Sequence, residues 1–582
     1  MARRVLRWIM RMVVTVLVII VIAAIFDYRS HRVAPGTVLM VKVDGAVNER
    51  GSAAVVGRVR GGHETALNVV RSAITKAIHD SRIAGLAVEV IDPSMELAEA
   101  QELCSLIKRF GDSGKWTSAY IESAGEFEPG NLAYMVASAA GDVSMMPRGE
   151  VNLVGVQMRE LFIRGTLDWV GIKPQMDAIG IYKSAKNFFT EKDFTPAQRE
   201  EDQALVDSSY QQLVDQIGKQ RHLDSAAVTA LVNRAPLDAT GAMTAHLVDK
   251  LEYEDEFRDR VKHRAGKDSD VMDYGDYDRP RLLPSFSHED KIAVVYGVGQ
   301  IERGSGGFDP LLSPGGSSMG SDTMAEAFKS AREDDAVRAV IFRINSPGGS
   351  VIASELIRRQ VELTARKKPV VVSMSSYAAS GGYWVAMPAK KIIADPGTIT
   401  GSIGVLGGKF NVANAAAKVG VTTDAVSHGQ NVSIFDEFTD FTPDQQKLLR
   451  DQLLGSVYQD FIKRVSDSRH LSIEEVDRIA QGRVWSGEQA LGIKLVDSLG
   501  DFDAAMKEAK AEAKLPPDQQ VEIEELPEQP GIAEQLLGGL DSRVELGSTV
   551  TRLLAPIWPM VRAELARQGA LGLLYCSRYL VM

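Results

Sequence analysis

An internal repeat is the feature that most constrains what this chain can fold into. The segment Gly382-Tyr383-Trp384-Val385-Ala386 resembles Ala133-Tyr134-Met135-Val136-Ala137, which stands 249 positions earlier. Further matches follow in the same order, with small slips: Pro147 and Pro396, Gly155-Val156 and Gly404-Val405, Phe194-Thr195-Pro196 and Phe441-Thr442-Pro443, Arg221-His222-Leu223 and Arg469-His470-Leu471, and Leu247-Val248-Asp249 and Leu495-Val496-Asp497. Self-similarity at a fixed offset indicates a duplicated structural unit.

Each half alternates apolar strands with helical stretches. The first half predicts strands at 38–43 and 86–91 with a helix at 64–79 between them, and the second half repeats this pattern at 292–296, 323–333 and 339–344. Such alternation is typical of βαβ units and predicts an α/β fold with a mainly parallel sheet. We therefore expect an N-terminal segment (1–36), a first half (37–262), a linker (263–290), a second half (291–512) and an amphipathic tail (513–582).

Composition argues against several classes of function. Lys and Arg number 66 against 77 Asp and Glu, a net charge of −11, so the basic face of a nucleic-acid-binding protein is not expected. Two cysteines and nine histidines, without Cys-x-x-Cys or His-Glu-x-x-His spacing, favour neither a disulfide framework nor a metal site. We expect no cofactor.

The N-terminus has the pattern of a membrane anchor. Arg3, Arg4, Arg7 and Arg11 precede an apolar run at 12–26, and this charge bias places the arginines in the cytoplasm and exports the rest of the chain. A cleaved signal peptide is the alternative, because Ala23-Ala24 suits a cleavage site. The bulky continuation after Ala24 favours an uncleaved anchor.

Two glycine-rich turns distinguish the second half from the first. Asn345-Ser346-Pro347-Gly348-Gly349-Ser350 directly follows a strand, where the first half has Asp92-Pro93-Ser94-Met95-Glu96. Ser380, in Ala378-Ala379-Ser380-Gly381-Gly382, lies in a predicted strand-to-helix turn and takes the place of Asn131. Considered separately, each motif has an ordinary structural interpretation: the 345–350 segment as a plain strand-to-helix turn, and Ser380 as a helix N-cap. Together, the turns favour a serine nucleophile beside an oxyanion hole.

The base for such a serine comes from the other half. His222 and His470 occupy equivalent positions in both halves, which indicates a structural role. Lys183 lies in the small, apolar stretch Ile179–Ala185, and its counterpart is Val432. A lysine base must be neutral, and lowering its pKa from ~10.4 to ~8 requires about 3 kcal/mol, which desolvation supplies. The alternative for Lys183 is an ordinary surface lysine.

These motifs, in this order, resemble the signal peptide peptidase A family in its long, duplicated bacterial form. The motifs are Gly180-Ile181-Tyr182-Lys183-Ser184-Ala185, the 345–350 turn, the 378–383 turn and Thr400-Gly401-Ser402-Ile403-Gly404, and the resemblance covers residues 40–510. It implies a ClpP/crotonase-like fold in each half, Ser380 as nucleophile, Lys183 as general base and Ser402 as the residue that orients the lysine. It also implies oxyanion donors at Gly381 and at Gly348 or Gly349, with Gly348 preferred.

The resemblance further implies a single-pass protein of the bacterial inner membrane. It also implies that the catalytic body faces the periplasm, that the protein assembles as a homotetramer, and that it degrades released signal peptides and other extended apolar peptides. Two other classes stay open: a crotonase-type acyl-CoA enzyme and a non-catalytic peptide-binding membrane scaffold. Whether the dyad forms within one chain or across two subunits is also open.

Overall fold

A computed structural model describes residues 33–51, 64–266, 269–278, 290–306 and 318–528, with a short strand at 579–581. The chain divides into two compact units, Met1–Gly155 with Leu213–Glu289, and Val156–Gln212 with Asp290–Met582. The units therefore follow a different division from the sequence repeat. Residues 156–212, from the first half of the repeat, belong to the second unit.

The strands of the described residues, in chain order, are β1 (Thr37–Asn48), β2 (Glu64–Ala66), β3 (Ile83–Ser94), β4 (Trp116–Ile121), β5 (Val143–Met145), β6 (Glu150–Val151), β7 (Gln157–Arg159), β8 (Lys173–Ile179), β9 (Leu237–Asp238), β10 (Lys250–Leu251), β11 (Val271–Asp273), β12 (Lys291–Val298), β13 (Ile301–Glu302), β14 (Met319–Gly320), β15 (Val337–Ser346), β16 (Val370–Ala379), β17 (Lys391–Ala394), β18 (Ile399–Gly401), β19 (Val405–Asn411), β20 (Val484–Ser486), β21 (Ser498–Leu499), β22 (Glu522–Leu526) and β23 (Tyr579–Val581).

The α-helices of the same residues are α1 (Leu67–His79), α2 (Leu97–Asp112), α3 (Asn131–Ser138), α4 (Arg164–Val170), α5 (Asn187–Thr190), α6 (Pro196–Arg221), α7 (Ser225–Arg234), α8 (Ala239–Thr244), α9 (Glu254–Ala265), α10 (Tyr274–Tyr277), α11 (Ser321–Glu333), α12 (Val351–Ala365), α13 (Gly381–Ala386), α14 (Ala413–Lys418), α15 (Pro443–Lys447), α16 (Gly455–Arg469), α17 (Ile473–Ile479), α18 (Gly487–Gly492) and α19 (Phe502–Glu512). A 3₁₀ turn spans Ser184–Lys186, and a π-helical stretch spans Leu448–Leu454.

The first unit is built on a parallel sheet with strand order β10-β5-β4-β3-β1-β11, and β2 also pairs with β1. Its central strands are almost continuously buried, as expected where helices cover both faces of a parallel sheet. The predicted α/β architecture is confirmed in this unit.

The second unit repeats the arrangement with the order β20-β18-β16-β15-β12-β22, and β17 also pairs with β16. Side chains along β12 alternate between the two faces. Ile292 and Val294 pack with Phe502 of α19, whereas Ala293 and Val295 face the core formed with α11 and α12. The sheet is thus buried on both sides. The carboxyl ends of β15 and β16 then lead directly into the two glycine-rich turns.

A separate two-stranded antiparallel sheet in the second unit joins the two sequence halves. β8 comes from the first half and β19 from the second, and their register runs from Lys173 opposite Asn411 to Ile179 opposite Val405. Because Lys183 follows β8 by four residues, this pairing brings the lysine to the second unit.

Equivalent contacts recur in the two units and support the duplication. The hydroxyl of Tyr134 donates to the Leu247 carbonyl at 2.7 Å, and that of Tyr383 donates to the Leu495 carbonyl at 2.8 Å. Arg221 forms two hydrogen bonds with Asp249 in the first unit. Arg469 does the same with Asp497 in the second.

The ends of the predicted halves carry more structure than their weak periodicity indicated. Residues 271–273 of the expected linker form β11, which pairs with β1, and residues 522–526 of the expected tail form β22, which pairs with β12. Both are edge strands whose pairing is set by the neighbouring strand. A short edge strand needs little hydrophobic pattern of its own, so the sequence alone did not indicate it.

The predicted anchor at 12–26 and the amphipathic stretch at 536–554 lie outside the described residues. Every helix within the described residues falls short of the length or the apolar character that a bilayer crossing requires.

Candidate active site

Ser380 occupies a tight connection between β16 and α13. Its backbone has φ +56° and ψ −114°, a region that a non-glycine residue enters only when its surroundings force it to. The amide of Ser380 donates to the Gly401 carbonyl at 2.8 Å, and its carbonyl accepts from the Trp384 amide at 2.9 Å. The backbone is therefore held on both sides while the side chain stays half-buried.

The side chain of Ser380 does not cap the helix that follows it. α13 starts at Gly381, and its preceding residue makes no side-chain capping hydrogen bond. An N-cap residue also normally has extended backbone angles, which Ser380 lacks. The geometry therefore disfavours the N-cap interpretation and is that of a strained strand-to-helix turn that presents a hydroxyl.

Lys183 reaches this hydroxyl. Its Nζ lies 3.0 Å from Ser380 Oγ, 2.8 Å from the Ser402 carbonyl oxygen and 3.0 Å from Ser402 Oγ. The lysine is only 7% exposed, so it is not an ordinary surface lysine. The contact forms within one chain and within one compact unit.

Three oxygens surround Nζ, enough for the three donors of an ammonium, and the same set also accommodates a neutral amine. A neutral amine has two N–H donors and one lone pair. The Ser402 carbonyl can only accept a hydrogen bond, and Ser402 Oγ can accept the second. In the neutral form the lone pair is left for the Ser380 hydroxyl to donate to; in the charged form Nζ donates to Ser380 Oγ. The neutral form is the arrangement in which a lysine removes a proton from a serine.

Ser402 is itself held in an uncommon conformation. Its φ is +50°, and its amide donates to the Arg483 carbonyl at 2.7 Å. The strand pair of β18 with β20 lies directly before it, with Thr400 opposite Trp485. The carbonyl oxygen and the hydroxyl that contact Lys183 therefore both belong to Ser402, whose backbone is fixed by its neighbours.

The three candidate oxyanion glycines lie in direct backbone contact. A Cβ added to Gly348 would stand 2.7 Å from the Gly381 nitrogen, and one added to Gly381 would stand 3.2 Å from the Gly349 nitrogen. Gly348 and Gly349 have φ of +105° and +154°, which favour glycine. The turn thus brings peptide N–H groups close to the nucleophile.

The two amides of the Gly-Gly turn differ in their engagement. The Gly348 N–H donates to Ser346 Oγ at 3.2 Å. A bridge between Ile301 and Gly349 uses the Gly348 carbonyl and the Ser350 amide, so the Gly349 N–H takes no part in it. The Gly349 amide is the better placed of the two to receive a ligand oxygen.

His222 and His470 have the structural role that their symmetry indicated. Both adopt left-handed backbone conformations, with φ of +56° and +55°. His470 follows α16 as its C-terminal cap. Neither takes part in the hydrogen bonds that join Lys183, Ser380 and Ser402.

Sequence reasoning missed one part of the site, the short strip at Gln481, Gly482 and Arg483. Its backbone hydrogen-bonds to the neighbourhoods of both Lys183 and Ser402. A signal was present in the repeat. The corresponding residues of the first half are Asn233, Arg234 and Ala235, with no glycine at the second place and no arginine at the third.

The family model for peptidase family S49 matches residues 122–268 and 362–516, one segment in each half of the repeat. The chain belongs to peptidase family S49. It is accordingly a serine peptidase with an α/β fold and two S49 segments. The resemblance predicted from the motifs is confirmed.

Curated relatives match over most of the chain. The chloroplastic serine protease SPPA of Arabidopsis thaliana is 30% identical over 89% of this chain and 76% of its own length. Protease 4 of Salmonella typhi is 33% identical over 78% of this chain and 73% of its own. Among solved structures, a mutant of ClpP1 from Listeria monocytogenes aligns with 13% identity over 36% of this chain and 91% of that one, with a TM-score of 0.23.

Proposed function

We propose that Ser380 and Lys183 form the catalytic dyad of this peptidase and that its substrates are released signal peptides. The observation that carries the assignment is the 3.0 Å contact between Lys183 Nζ and Ser380 Oγ. It unites the two residues by which the repeated halves differ, at a distance suited to direct proton transfer.

The reaction is acyl transfer in two steps. Neutral Lys183 takes the Ser380 hydroxyl proton while Oγ attacks the scissile carbonyl carbon, and the resulting ammonium then protonates the leaving amine. Water next attacks the acyl-enzyme, with the same lysine as base. Ser402 orients Nζ through its carbonyl and its hydroxyl.

The developing oxyanion is held by peptide N–H groups. We assign this role to Gly381 and, of the two turn glycines, to Gly349 in preference to Gly348, whose amide is engaged with Ser346. Fixed donors at this position stabilise the charge that appears only in the transition state.

The surroundings of the turn support an extended, apolar peptide substrate. α12 begins at Val351, directly after the Gly-Gly turn, and exposes Val351, Ile352 and Leu356. Ile352 and Leu356 are four residues apart and therefore share one face of the helix. An extended peptide can add its backbone beside the turn while apolar side chains contact this face.

The remaining parts of the proposal concern assembly and location. We propose ClpP/crotonase-like halves, a homotetramer, and an anchor in residues 1–36 that places the body on the periplasmic side of the bacterial inner membrane. Support comes from the four arginines that flank one end of the apolar run and from the family resemblance.

The deciding experiment is hydrolysis of a synthetic signal peptide by the full-length protein in detergent. Wild-type cleavage should be lost in Ser380→Ala and Lys183→Ala and kept in the exposed-site controls Ser456→Ala and Lys192→Ala. An electrophilic serine reagent should label Ser380 in the wild type. An intact peptide and an unlabelled serine would favour a binding scaffold or an acyl-CoA enzyme instead.

A further inference from the structure

We propose that the strip formed by Gln481, Gly482 and Arg483, called here the base-positioning strip, holds Lys183 in the geometry of a general base, with Arg483 as a positioning residue. The inference rests on the proposed dyad. None of the three residues touches the reacting atoms, so they act through the lysine and its partner.

The backbone of the strip is hydrogen-bonded on both sides. On one side, the Tyr182 amide donates to the Gln481 carbonyl at 2.9 Å. On the other, the Gly482 amide donates to the Ile403 carbonyl at 2.8 Å, and the Ser402 amide donates to the Arg483 carbonyl at 2.7 Å. Three consecutive residues thus fix the position of the lysine relative to the serine that orients it.

Gly482 permits an approach that no other residue allows. Its φ is +79°, and an added Cβ would lie 2.6 Å from both the backbone nitrogen and the Cβ of Lys183. The opposite side is equally close, since a Cβ on Gly404 would lie 2.7 Å from the Gly482 Cα. A side chain at Gly482 would therefore displace the lysine backbone or force the strip away from it.

The side chain of Arg483 holds the residue before the lysine. Its guanidinium lies 4.8 Å from the ring centre of Tyr182 and 4.5 Å from that of Trp485. Its Nη1 lies 2.7 Å from Glu200, whose other carboxylate oxygen accepts from the Tyr182 hydroxyl at 3.1 Å. The hydrogen bond from Arg483 holds the pKa of Glu200 below its usual range, so this carboxylate stays ionised.

The contacts of the Arg483 side chain differ in how much they stabilise the structure. The carboxylate of the ion pair, that of Glu200, is 59% exposed, so the ion pair by itself contributes little. Stacking of a planar guanidinium between two rings contributes more and fixes direction, which an ammonium cannot reproduce. The Arg483 side chain therefore acts mainly by limiting where Tyr182, and with it Lys183, can move.

The repeat gives an independent observation. Arg234 and Ala235 of the first half occupy the positions of Gly482 and Arg483, at an offset of 248. The half without the nucleophile thus has neither the glycine nor the arginine at these places. The glycine and the arginine thus occur in the half whose unit also contains the Lys183 segment that they contact.

The first test is Gly482→Ala in the full-length protein, assayed on the signal peptide. We expect kcat to fall by roughly 10²-fold with little change in KM, since a displacement of about 1 Å is enough for such a loss. The acid limb of the kcat/KM profile should move to higher pH, because a displaced amine is better hydrated and holds its proton more strongly.

Two control glycines separate the contributions. Gly420 has φ +81° with nothing within 4 Å of an added Cβ, so Gly420→Ala introduces backbone strain without a clash. Gly492 also has open space and no positive φ, so Gly492→Ala controls for composition. Both variants should keep kcat and the pH profile of the wild type.

The second test is Arg483→Met beside Arg483→Lys, with the exposed Arg478→Met as control. We expect about a tenfold loss of kcat in both Arg483 variants, because neither keeps a planar cation between the rings. Should Gly482→Ala fail to fold, judged by its thermal unfolding, these variants decide the question.

The outcomes separate this inference from the proposed function. If Lys183→Ala keeps full activity, the dyad itself is wrong and the strip has nothing to position. If Lys183→Ala is inactive while Gly482→Ala equals Gly420→Ala, or while the losses appear only in KM with an unchanged pH profile, the dyad stands and the positioning role is refuted.

Discussion

The turn at Asn131 and the turn at Ser380 occupy equivalent places in the two units, yet their backbones differ. In the first unit β4 ends at Ile121, and α3 begins at Asn131 after an intervening loop. In the second unit β16 runs to Ala379 and α13 starts at Gly381, so Ser380 alone makes the connection. One turn is relaxed and the other is strained.

The side chains at the two positions also differ in burial and in the groups that they contact. Asn131 is fully buried, and its Nδ2 donates to the Gly155 carbonyl at 2.9 Å. Ser380 is half-buried and meets Lys183. The comparison teaches that duplication preserved the sheet and its helices, whereas the strained connection that carries the proposed nucleophile occurs in one copy.

Giving the second unit the residue of the first should have the largest effect. Ser380→Asn removes the nucleophile, and asparagine tolerates a positive φ, so the fold should persist. We expect signal-peptide hydrolysis to fall by at least ~10³-fold with an unchanged unfolding temperature. The reciprocal Asn131→Ser, placed in the Ser380→Ala background, should restore no activity. Restored hydrolysis would show that the relaxed turn is also competent.

Gly349→Ala tests the turn that the first half lacks. An added Cβ would lie 2.1 Å from the Ile301 carbonyl oxygen and requires a disfavoured φ, so the Gly349 amide must move. Loss of one oxyanion donor lowers kcat by about 10²–10³-fold. Steady-state kinetics on the signal peptide measures this. Gly165→Ala, in open space, is the control, and an unchanged kcat would exclude Gly349 from the oxyanion site.

The paired arginines allow the two units to be compared for stability. Arg221 and Arg469 have side chains 8% and 10% exposed, each bound to an aspartate. Removing either arginine leaves an aspartate, 38% exposed at Asp249 and 25% exposed at Asp497, without its main partner, which costs about 1–2 kcal/mol. Thermal unfolding of Arg221→Met and Arg469→Met should show similar losses. A loss in only one variant would indicate that the units are not energetically equivalent.

The same pairs also affect how stability depends on pH. Without the arginine, the protein should lose less stability as the pH falls. Burial raises the pKa of Asp249 and Asp497, but hydrogen bonds from the arginine and from a backbone amide outweigh it, so both pKa values lie below the usual range. A carboxyl with a lowered folded-state pKa contributes stability above its unfolded value of ~3.9, and this is lost as the pH falls through the folded value. Unfolding temperatures measured from pH 6 to pH 2 should fall less steeply in the two arginine variants. Parallel curves would contradict this.

Much of the fold followed from patterns that are local in the chain. Apolar runs and helical stretches located β1, β3, β12 and β15, and the repeat indicated that the pattern occurs twice. The end of β16 depends on pairing: the strand continues through small residues to Ala379. Small residues near a turn have little strand propensity of their own, so pairing with β15 and β18 decides their state.

Ser380 and Lys183 could be predicted because each differs from its counterpart in the other half, whereas Ser402 was predicted from the family resemblance. Ser380, Lys183 and Ser402 meet in the structure. Gly482 and Arg483 were missed, although they also differ from the first half. The role proposed for them depends on contacts with residues about 80 and 300 positions away, and no local pattern reports such contacts.

The sequence by itself determined the duplication, the α/β class and the identity of Ser380 and Lys183, each of which is replaced by a different residue type in the other half. These properties depend on periodicity and on residue type. Only the tertiary structure decided that β8 pairs with β19, that Lys183 belongs to the unit of Ser380, and that the Gly348 amide donates to Ser346 Oγ. The physical reason is that strand pairing across the halves and hydrogen bonds at positive φ depend on which distant segments come into contact. Such contacts are settled by packing of the whole unit.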